Sequence, residues 1–314
     1  MVMVAPALQL LMTEFPDSKF TLIVKKGLEG ILCCFKGTYS VVLFDKSNYT
    51  GLIGAYKFGK KFQLGPEDYF ICFPNSLSSA LMSYASNAGL RLGYVKEGRG
   101  VLLTHRPALQ KEVHRVEQYF NLVNVGLQLM KSSCPAVELS SPTFKKEEVF
   151  NQLLVSFNSE AKSRRMPVSK AISILQYVQQ LPFDKIILLG GPKDVAYNEL
   201  ILAGVSSKKI SSLAGKTSLE ELAKLMCQSK LLLTVDSGPS HLANALGLKT
   251  VVMHGADDEH NTEAYNKAFV YGLRYGQLPC EPCVKNKCKL GEESPCLLKL
   301  EEARIYATMQ IAMH

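Results

Sequence analysis

The 314-residue chain is 47% apolar, carries 36 Lys and Arg against 28 Asp and Glu for a formal charge of +8, and has nine Cys and no Trp. Beyond about 250 residues a single core usually divides, so two domains are expected, and no apolar run nears the roughly 20 residues of a membrane-spanning helix. The positive balance favours anionic partners, nucleotide phosphates or the cytoplasmic leaflet of a membrane, with a plain solvated basic surface as the alternative. Nucleic acid is not expected, because the basic residues are dispersed and no recognisable binding motif is present.

The start, MVMVAPALQLLMTEF, has no basic leader or small-residue cleavage site and is interrupted by Glu14, so it reads as an amphipathic helix over 4–14 rather than a secretory signal. The Cys count is odd, and Cys33, Cys34, Cys72, Cys134 and Cys227 sit within apolar segments, which suits a reducing cytoplasm. Short β-branched runs then alternate with helical-period segments. That pattern predicts an α/β fold with parallel sheets buried on both faces. In the first half strands are expected at 20–24, 40–44 and 69–73, and helices near 76–87 and 111–128. The stretch 132–148, rich in Ser, Pro and charge, reads as a linker, giving domains 1–145 and 146–297. The second half is more regular, with strands at 153–157, 185–189, 209–211, 231–235 and 250–254 and a closing helix over 298–314 packed through Leu300, Ile305, Met309 and Ile311. In a doubly wound sheet, ligands bind at the carboxyl ends of strands, where helix amino ends favour anions.

The most specific segment is LLLTVDSGPSHLANALG (231–247), an apolar strand followed by Asp236, Ser237, Gly238, Pro239, Ser240 and His241. Pro239 suits a first helical position, and Ser237 or Gly238 would cap the turn, leaving N–H groups for an anion. Asp236 can accept from sugar hydroxyls, and His241 lies one turn on, on the face of Ser237 and Gly238. The alternative is an Asp that only caps the helix and a His bonded to backbone, against which the Gly and Ser of the loop argue.

A second loop, SFNSEAKSRRMP, places Ser159, Lys162, Arg164 and Arg165 before a helix opened by Pro167, where a cation can offset charge on a departing diphosphate; an exposed basic loop without ligand is the alternative. GGPKD (190–194) and AGKTSLEELA (214–223), the latter with Thr217 or Ser218 as helix cap, read as ordinary strand-to-helix turns when taken singly. Cys280, Cys283, Cys288 and Cys296 form C-x2-C-x4-C-x7-C, a spacing able to hold structural zinc, with free or partly disulfide-linked thiols as the alternative.

The D-S/T-G-x-x-H-L-A-x-A-L-G run after a strand resembles the hallmark of glycosyltransferase family nine, the ADP-heptose:lipopolysaccharide heptosyltransferases. That resemblance implies two Rossmann-like domains facing across a cleft, the GT-B arrangement. It also implies an inverting, metal-independent transfer of heptose from an ADP-sugar to the lipopolysaccharide inner core, at the inner face of the cytoplasmic membrane. It assigns donor binding to Asp236, Ser237, Gly238 and His241 and a phosphate contact to Arg164, and sets the 190–194 and 214–223 loops around the adenosine. A four-Cys cluster also occurs in part of the family. In the first half, R-L-G-Y at 91–94 and the helix after it resemble the family's acceptor side, which would bring His105, Arg106, His114 and Arg115 near an anionic saccharide lipid; for His114 a surface or capping role is the alternative. Family members open with a strand ending in Gly-Asp, whose Asp is the expected base, followed by a helix reaching P-A-L. Pro6-Ala7-Leu8 is present here, so that Asp would fall immediately before Met1. Loss of a general base typically removes a factor of about 10² to 10⁴ in rate. Two expectations follow: the start is internal to a longer reading frame, or the chain is a weakly active or inactive homologue that binds nucleotide-sugar. A GT-B enzyme with another donor, such as a nucleotide-sugar epimerase, is the further alternative.

Overall fold

The computed structural model describes residues 1–140 and 149–314. The chain divides into two compact units, one running to Val137 and one from Glu138 to His314. That division lies within the stretch read as a linker, while the boundary expected at 145/146 lies outside the described residues. Within that stretch Val137 and Leu139 are buried rather than solvated, and the Leu139 N–H donates to the Ala245 carbonyl at 2.9 Å.

In the first unit the order is α1 (Ala5–Glu14), β1 (Thr21–Lys25), β2 (Ser40–Phe44), α2 (Gly51–Gly59), β3 (Tyr69–Ile71), α3 (Leu77–Ala85), β4 (Leu90–Leu92) and α4 (Arg115–Gly126). The strands form two parallel pairs, β1 with β2 and β3 with β4. α1 and α4 pack through Ala7, Leu10, Leu11, Phe120 and Val123. A second cluster gathers Phe44, Tyr49, Phe58, Phe62 and Phe70, mostly edge to face at centroid distances of 4.9 to 6.3 Å, the arrangement that ring quadrupoles favour. Arg99 is 0% exposed. Its Nε donates to the Tyr94 carbonyl at 2.8 Å, and its Nη1 to the Pro74 and Ser76 carbonyls and Ser79 Oγ at 2.6, 3.1 and 3.0 Å. The guanidinium thus ties the loop after β3 to the loop after β4. Burial pulls its pKa down, yet these acceptors satisfy the charged form.

The second unit runs β5 (Gln152–Ser156), α5 (Val168–Val178), β6 (Lys185–Leu188), α6 (Val195–Ala203), β7 (Ile210–Ser212), α7 (Leu219–Cys227), β8 (Leu231–Val235), α8 (Gly238–Ala245), β9 (Thr250–His254), α9 (Glu259–Thr262), β10 (Val270–Arg274), α10 (Pro295–Leu298) and α11 (Glu302–Met313). Its strands make one parallel sheet in the order β10-β9-β8-β5-β6-β7. β5, β8 and β9 are buried along their whole length, which is why they read in the sequence as unbroken apolar runs. The order reverses between β5 and β8, the place where a doubly wound sheet opens a crevice for ligand.

Several elements differ from expectation. β4 is only three residues long, and β10 is an edge strand carrying Gly272, so neither stands out as a hydrophobic run. The closing helix is two, α10 and α11, with Leu300 buried between them. Ile311 is 65% exposed because Ala312, three residues after Met309, takes the core-facing position. α4 starts later than 111 because His114 caps it, the ring accepting the Val116 N–H at 3.2 Å.

Candidate functional site

β5 and β8 are paired, Ser156 opposite Thr234, so the loops that leave them are neighbours at the sheet's carboxyl edge. From the β5 loop, a 3-10 turn over Lys162–Arg164 directs Arg164 across the crevice, and its Nη1 lies 2.8 Å from Asp236 Oδ2. Asp236 is 3% exposed, Arg164 half-buried. Burial, with the nearby Asp257 charge, pushes the Asp236 carboxyl up to about 6, against the pull of Arg164. His241 Nε2 stands 3.8 Å from the other carboxylate oxygen. The two residues singled out most strongly in the sequence, 72 positions apart, are therefore in direct contact.

Ser237 is the N-cap of α8, as weighed for it, and Pro239 takes the second helical position rather than the first because the helix opens at Gly238; the Ser237 hydroxyl turns back to the Val235 carbonyl at 3.2 Å and caps nothing. At the amino end of the helix Pro239 has no N–H and the Ser240 N–H donates to the Ser237 carbonyl at 3.1 Å. A Cβ built on Gly238 would meet no atom within 4 Å, so the loop opens to unoccupied space at that point.

The neighbouring loops are stitched together. Arg165 pairs with Asp194 at 2.8 Å and donates to the Ser159 carbonyl at 3.2 Å, so it braces the 190–194 loop. Gly215 N–H donates to the Gly190 carbonyl at 2.9 Å, drawing in the 214–223 segment. There Ser218, not Thr217, caps α7, in a reciprocal capping box with Glu221. Thr217 is half-buried beside it in the turn between β7 and α7, and Lys162 is exposed on the basic turn. Asn158, 7% exposed, donates to the Leu189 carbonyl at 2.6 Å, while its Oδ1 is buried without a hydrogen-bond partner. A cavity of about 770 Å³, lined in part by Leu181, Phe183, Met226, Leu248 and Tyr306, lies at the opposite, amino-terminal edge of the sheet, away from these loops.

Sequence reasoning missed a buried charge network behind Asp236. His254, which ends β9, is 2% exposed; its Nδ1 hydrogen-bonds Asp257 and its Nε2 lies 3.6 Å from Glu263. Burial pulls its pKa down, but the hydrogen bond to Asp257 and the nearby Glu263 carboxylate overcome this and raise it to about 9, which favours the imidazolium at neutral pH; Nε2 itself is buried without a hydrogen-bond partner. Arg274 Nε donates to both Glu259 carboxylate oxygens at 3.1 and 2.8 Å, and its Nη2 to the Asp257 carbonyl at 2.6 Å. The sequence signal was faint, a His at a strand end followed by scattered acids.

The cysteine loop holds a different surprise. Among the described residues the only group of three or more His, Cys, Asp or Glu ligand atoms within 4.8 Å of one another is His254, Asp257 and Glu259, where Arg274 already supplies a cation. No three of the sulfurs of Cys280, Cys283, Cys288 and Cys296 lie within 4.8 Å of one another. Cys296 is buried, which lifts its thiol to about 11, while Cys280 is exposed. The loop instead buttresses the site through polar contacts. Ser163 N–H donates to the Asn286 carbonyl at 3.2 Å, Ser294 Oγ to the Ser163 carbonyl at 2.8 Å, and Val284 N–H to the Ala256 carbonyl at 2.7 Å.

In the first unit, His105 and Arg106 are exposed. His114 is the α4 cap, the alternative weighed for it, and Arg115 keeps its Nε buried without a hydrogen-bond partner.

A family model described as glycosyltransferase family 9 (heptosyltransferase) matches residues 55–293. The chain is 25% identical over 256 residues to lipooligosaccharide heptosyltransferase 2 of Haemophilus influenzae, covering 72% of each protein. Its fold is similar to that of E. coli ADP-heptose lipopolysaccharide heptosyltransferase II, with a TM-score of 0.80 at 19% identity over 100% of this chain and 95% of that one. A similar likeness, TM-score 0.74 at 17% identity over 99% and 95%, holds for an E. coli heptosyltransferase, WaaC, solved with ADP.

Proposed function

This chain belongs to glycosyltransferase family 9, and from that membership we propose that it moves heptose from ADP-heptose to the inner core of lipopolysaccharide, with inversion at the anomeric carbon. The observation that carries the reading is the Arg164–Asp236 pair at the switch point, beside the open amino end of α8. Without ligand each charge satisfies the other. A nucleoside diphosphate-sugar offers both a better partner: its phosphates take Arg164 and the α8 N–H groups, and its sugar hydroxyls donate to Asp236.

When the acceptor hydroxyl attacks the anomeric carbon, its proton passes to a general base or to solvent water, the bond to the diphosphate oxygen breaks, and negative charge grows on the departing nucleoside diphosphate. Arg164 and the helix amino end meet that charge as it forms, an arrangement that works without a divalent metal. Lys162, exposed on the same turn, adds positive potential. Ser159, Thr217, Ser237, Gly238 and His241 complete the donor surface, Gly238 by leaving room and His241 by facing the Asp236 carboxylate. The acceptor is taken as a saccharide lipid at the inner face of the cytoplasmic membrane, to which the formal charge of +8 is suited. No described helix is long and apolar enough to cross the membrane, so the association is peripheral in this reading. The cysteine loop is read as carrying thiols rather than zinc, a reading supported by no three of its sulfurs lying within 4.8 Å of one another.

Calorimetry with ADP tests the assignment. Binding is expected for the unaltered protein without added divalent metal, with marked loss in Arg164→Ala. A folded protein that ignores ADP would move the chain to another donor.

A further inference from the structure

Asp236 is asked to accept hydrogen bonds from sugar hydroxyls, which it does as an anion. Its surroundings make that difficult. It is 3% exposed and follows Val235 as His254 follows its register partner Met253, so the ends of β8 and β9 lie side by side and the buried Asp257, three residues beyond His254, adds a like charge nearby. Two cations work in the other direction. Arg164 touches Asp236 directly, but it is the group that the diphosphate recruits, so its hold weakens when donor binds. His254 cannot be recruited: it is sealed at the end of β9, bonded to Asp257 on one nitrogen and facing Glu263 on the other. The loop that holds it is fixed from two further sides, by Gly255 N–H donating to Asp257 Oδ1 at 2.8 Å and by Arg274 on the 255 and 257 carbonyls.

We propose that His254 is a positioning residue for donor binding: its imidazolium, held between Asp257 and Glu263, offsets the Asp257 charge so that Asp236 stays an anion while Arg164 serves the diphosphate. The proposal rests on the donor assignment above. It gives this chain two separate cations for two separate tasks. Arg164 is mobile between partners and handles phosphate; His254 is fixed and sets the charge state of the sugar-binding carboxylate. The charged groups around the pair are Arg164 from the β5 loop, His241 from α8, Asp257 and Glu259 after β9, Glu263 with its partner Lys267, and Arg274 from β10. Of these, His241 and His254 are the ones whose ordinary pKa lies near neutrality. His241 contacts Asp236 at 3.8 Å and is the control.

The experiment is a pH series of affinities for ADP and ADP-heptose, measured by calorimetry on the full chain. ADP reports the diphosphate contact alone, and the gain from ADP to ADP-heptose reports Asp236. In the unaltered protein that gain is expected to be present at neutral pH and to fade at or somewhat above pH 6, the value that holds while Arg164 is still on Asp236. In His254→Asn the fading point is expected to move up by about one unit, so that the gain falls by about twofold at pH 7 and about fivefold at pH 6, while ADP affinity stays within about twofold. Asp257→Asn alone should move it down, because the like charge is gone while His254 and Glu263 remain. The double variant His254→Asn, Asp257→Asn should return it toward the starting value, and His241→Asn should leave the direction of both shifts unchanged. A role limited to packing predicts loss of both affinities together with no movement along the pH axis, and that result overturns the proposal. If His254→Asn does not fold, Asp257→Asn decides: a downward move supports the proposal and an unmoved fading point ends it. Failure of ADP itself to bind the unaltered protein would instead remove the donor assignment.

Discussion

The two units solve the same architectural problem by different means. In the second, three adjacent central strands are buried along their whole length and joined in one sheet of six, so the crevice between β5 and β8 stands on continuous hydrogen-bonded backbone. In the first, the described strands fall into two separate pairs, and much of the ordering comes from an aromatic cluster and from one buried guanidinium serving several carbonyls. A continuous sheet spreads its stability over many small contributions. A latch concentrates it in one residue. Single changes should therefore act unevenly on the two units, while changes at the donor crevice should alter binding without altering the fold.

The largest effect is expected at the latch. Arg99→Ala strips partners from the Tyr94, Pro74 and Ser76 carbonyls and from Ser79, and leaves a void where a fully buried side chain stood. Hydrogen bonds to a charged group are worth about 1.5 to 3 kcal/mol each, so a loss of about 3 kcal/mol or more is expected. Hydrogen exchange should show it in β3 and β4 while β5 and β8 keep their protection; an equal loss in both units would dissolve the contrast. Next comes Arg164→Ala, which removes a charge-assisted contact to diphosphate and should lower ADP affinity by about 10- to 100-fold. Its thermal midpoint should move far less than that of Arg99→Ala, because Arg164 is half-exposed.

The pH response separates stability from binding at a single carboxylate. Asp236 has its folded pKa raised, so the folded protein holds the proton more tightly than the unfolded chain between its ordinary 3.8 and about 6. Its contribution to stability is then present below about 4 and is lost as pH rises through 6, whereas sugar binding needs the anion and grows over the same interval. Opposite slopes of melting temperature and ADP-heptose affinity between pH 4.5 and 6.5 are the expected outcome, and Asp236→Asn should flatten both. A smaller change is expected from Gly238→Ala, whose new methyl meets no protein atom within 4 Å. The melting temperature should hold or rise slightly, as Gly-to-Ala changes in permitted conformations do, while ADP affinity falls by about tenfold because the methyl enters ligand space.

What was legible in the sequence follows the same division. The fully buried strands Leu231–Val235 and Thr250–His254 were read to the residue, because a strand covered on both faces leaves an unbroken apolar run bounded by turn chemistry. The loop residues Arg164 and Asp236 were legible through their place after such strands and through the family motif. β4 and β10 were not, since a three-residue strand and an edge strand with a glycine carry little periodic signal. The His254 network was hidden for another reason: its members come from three elements and become a unit only when β8, β9 and β10 align. Arg99 was invisible as a latch because nothing local distinguishes a buried arginine from a surface one. Ser218 could be weighed against Thr217 as cap, but only the reciprocal bond with Glu221 decides between them.

The smallest effect is expected where the sequence motif looked most suggestive. A structural zinc held by four thiolates contributes roughly 10 to 16 kcal/mol in small metal domains, so its removal would lower the melting temperature steeply. The cysteine loop meets the donor site through Ser163, Ser294 and the Val284 amide, with no three of its sulfurs within 4.8 Å of one another and Cys296 kept as a buried neutral thiol. Exhaustive chelation should therefore leave both the melting temperature and ADP affinity where they were, while Ser294→Ala, which frees the Ser163 carbonyl of the basic turn, should weaken ADP binding measurably. The reverse pattern, a large chelator effect with an indifferent Ser294→Ala, would transfer the support of Arg164 from hydrogen bonds to metal, and with it the claim that this half of the molecule is held by its sheet and polar braces alone.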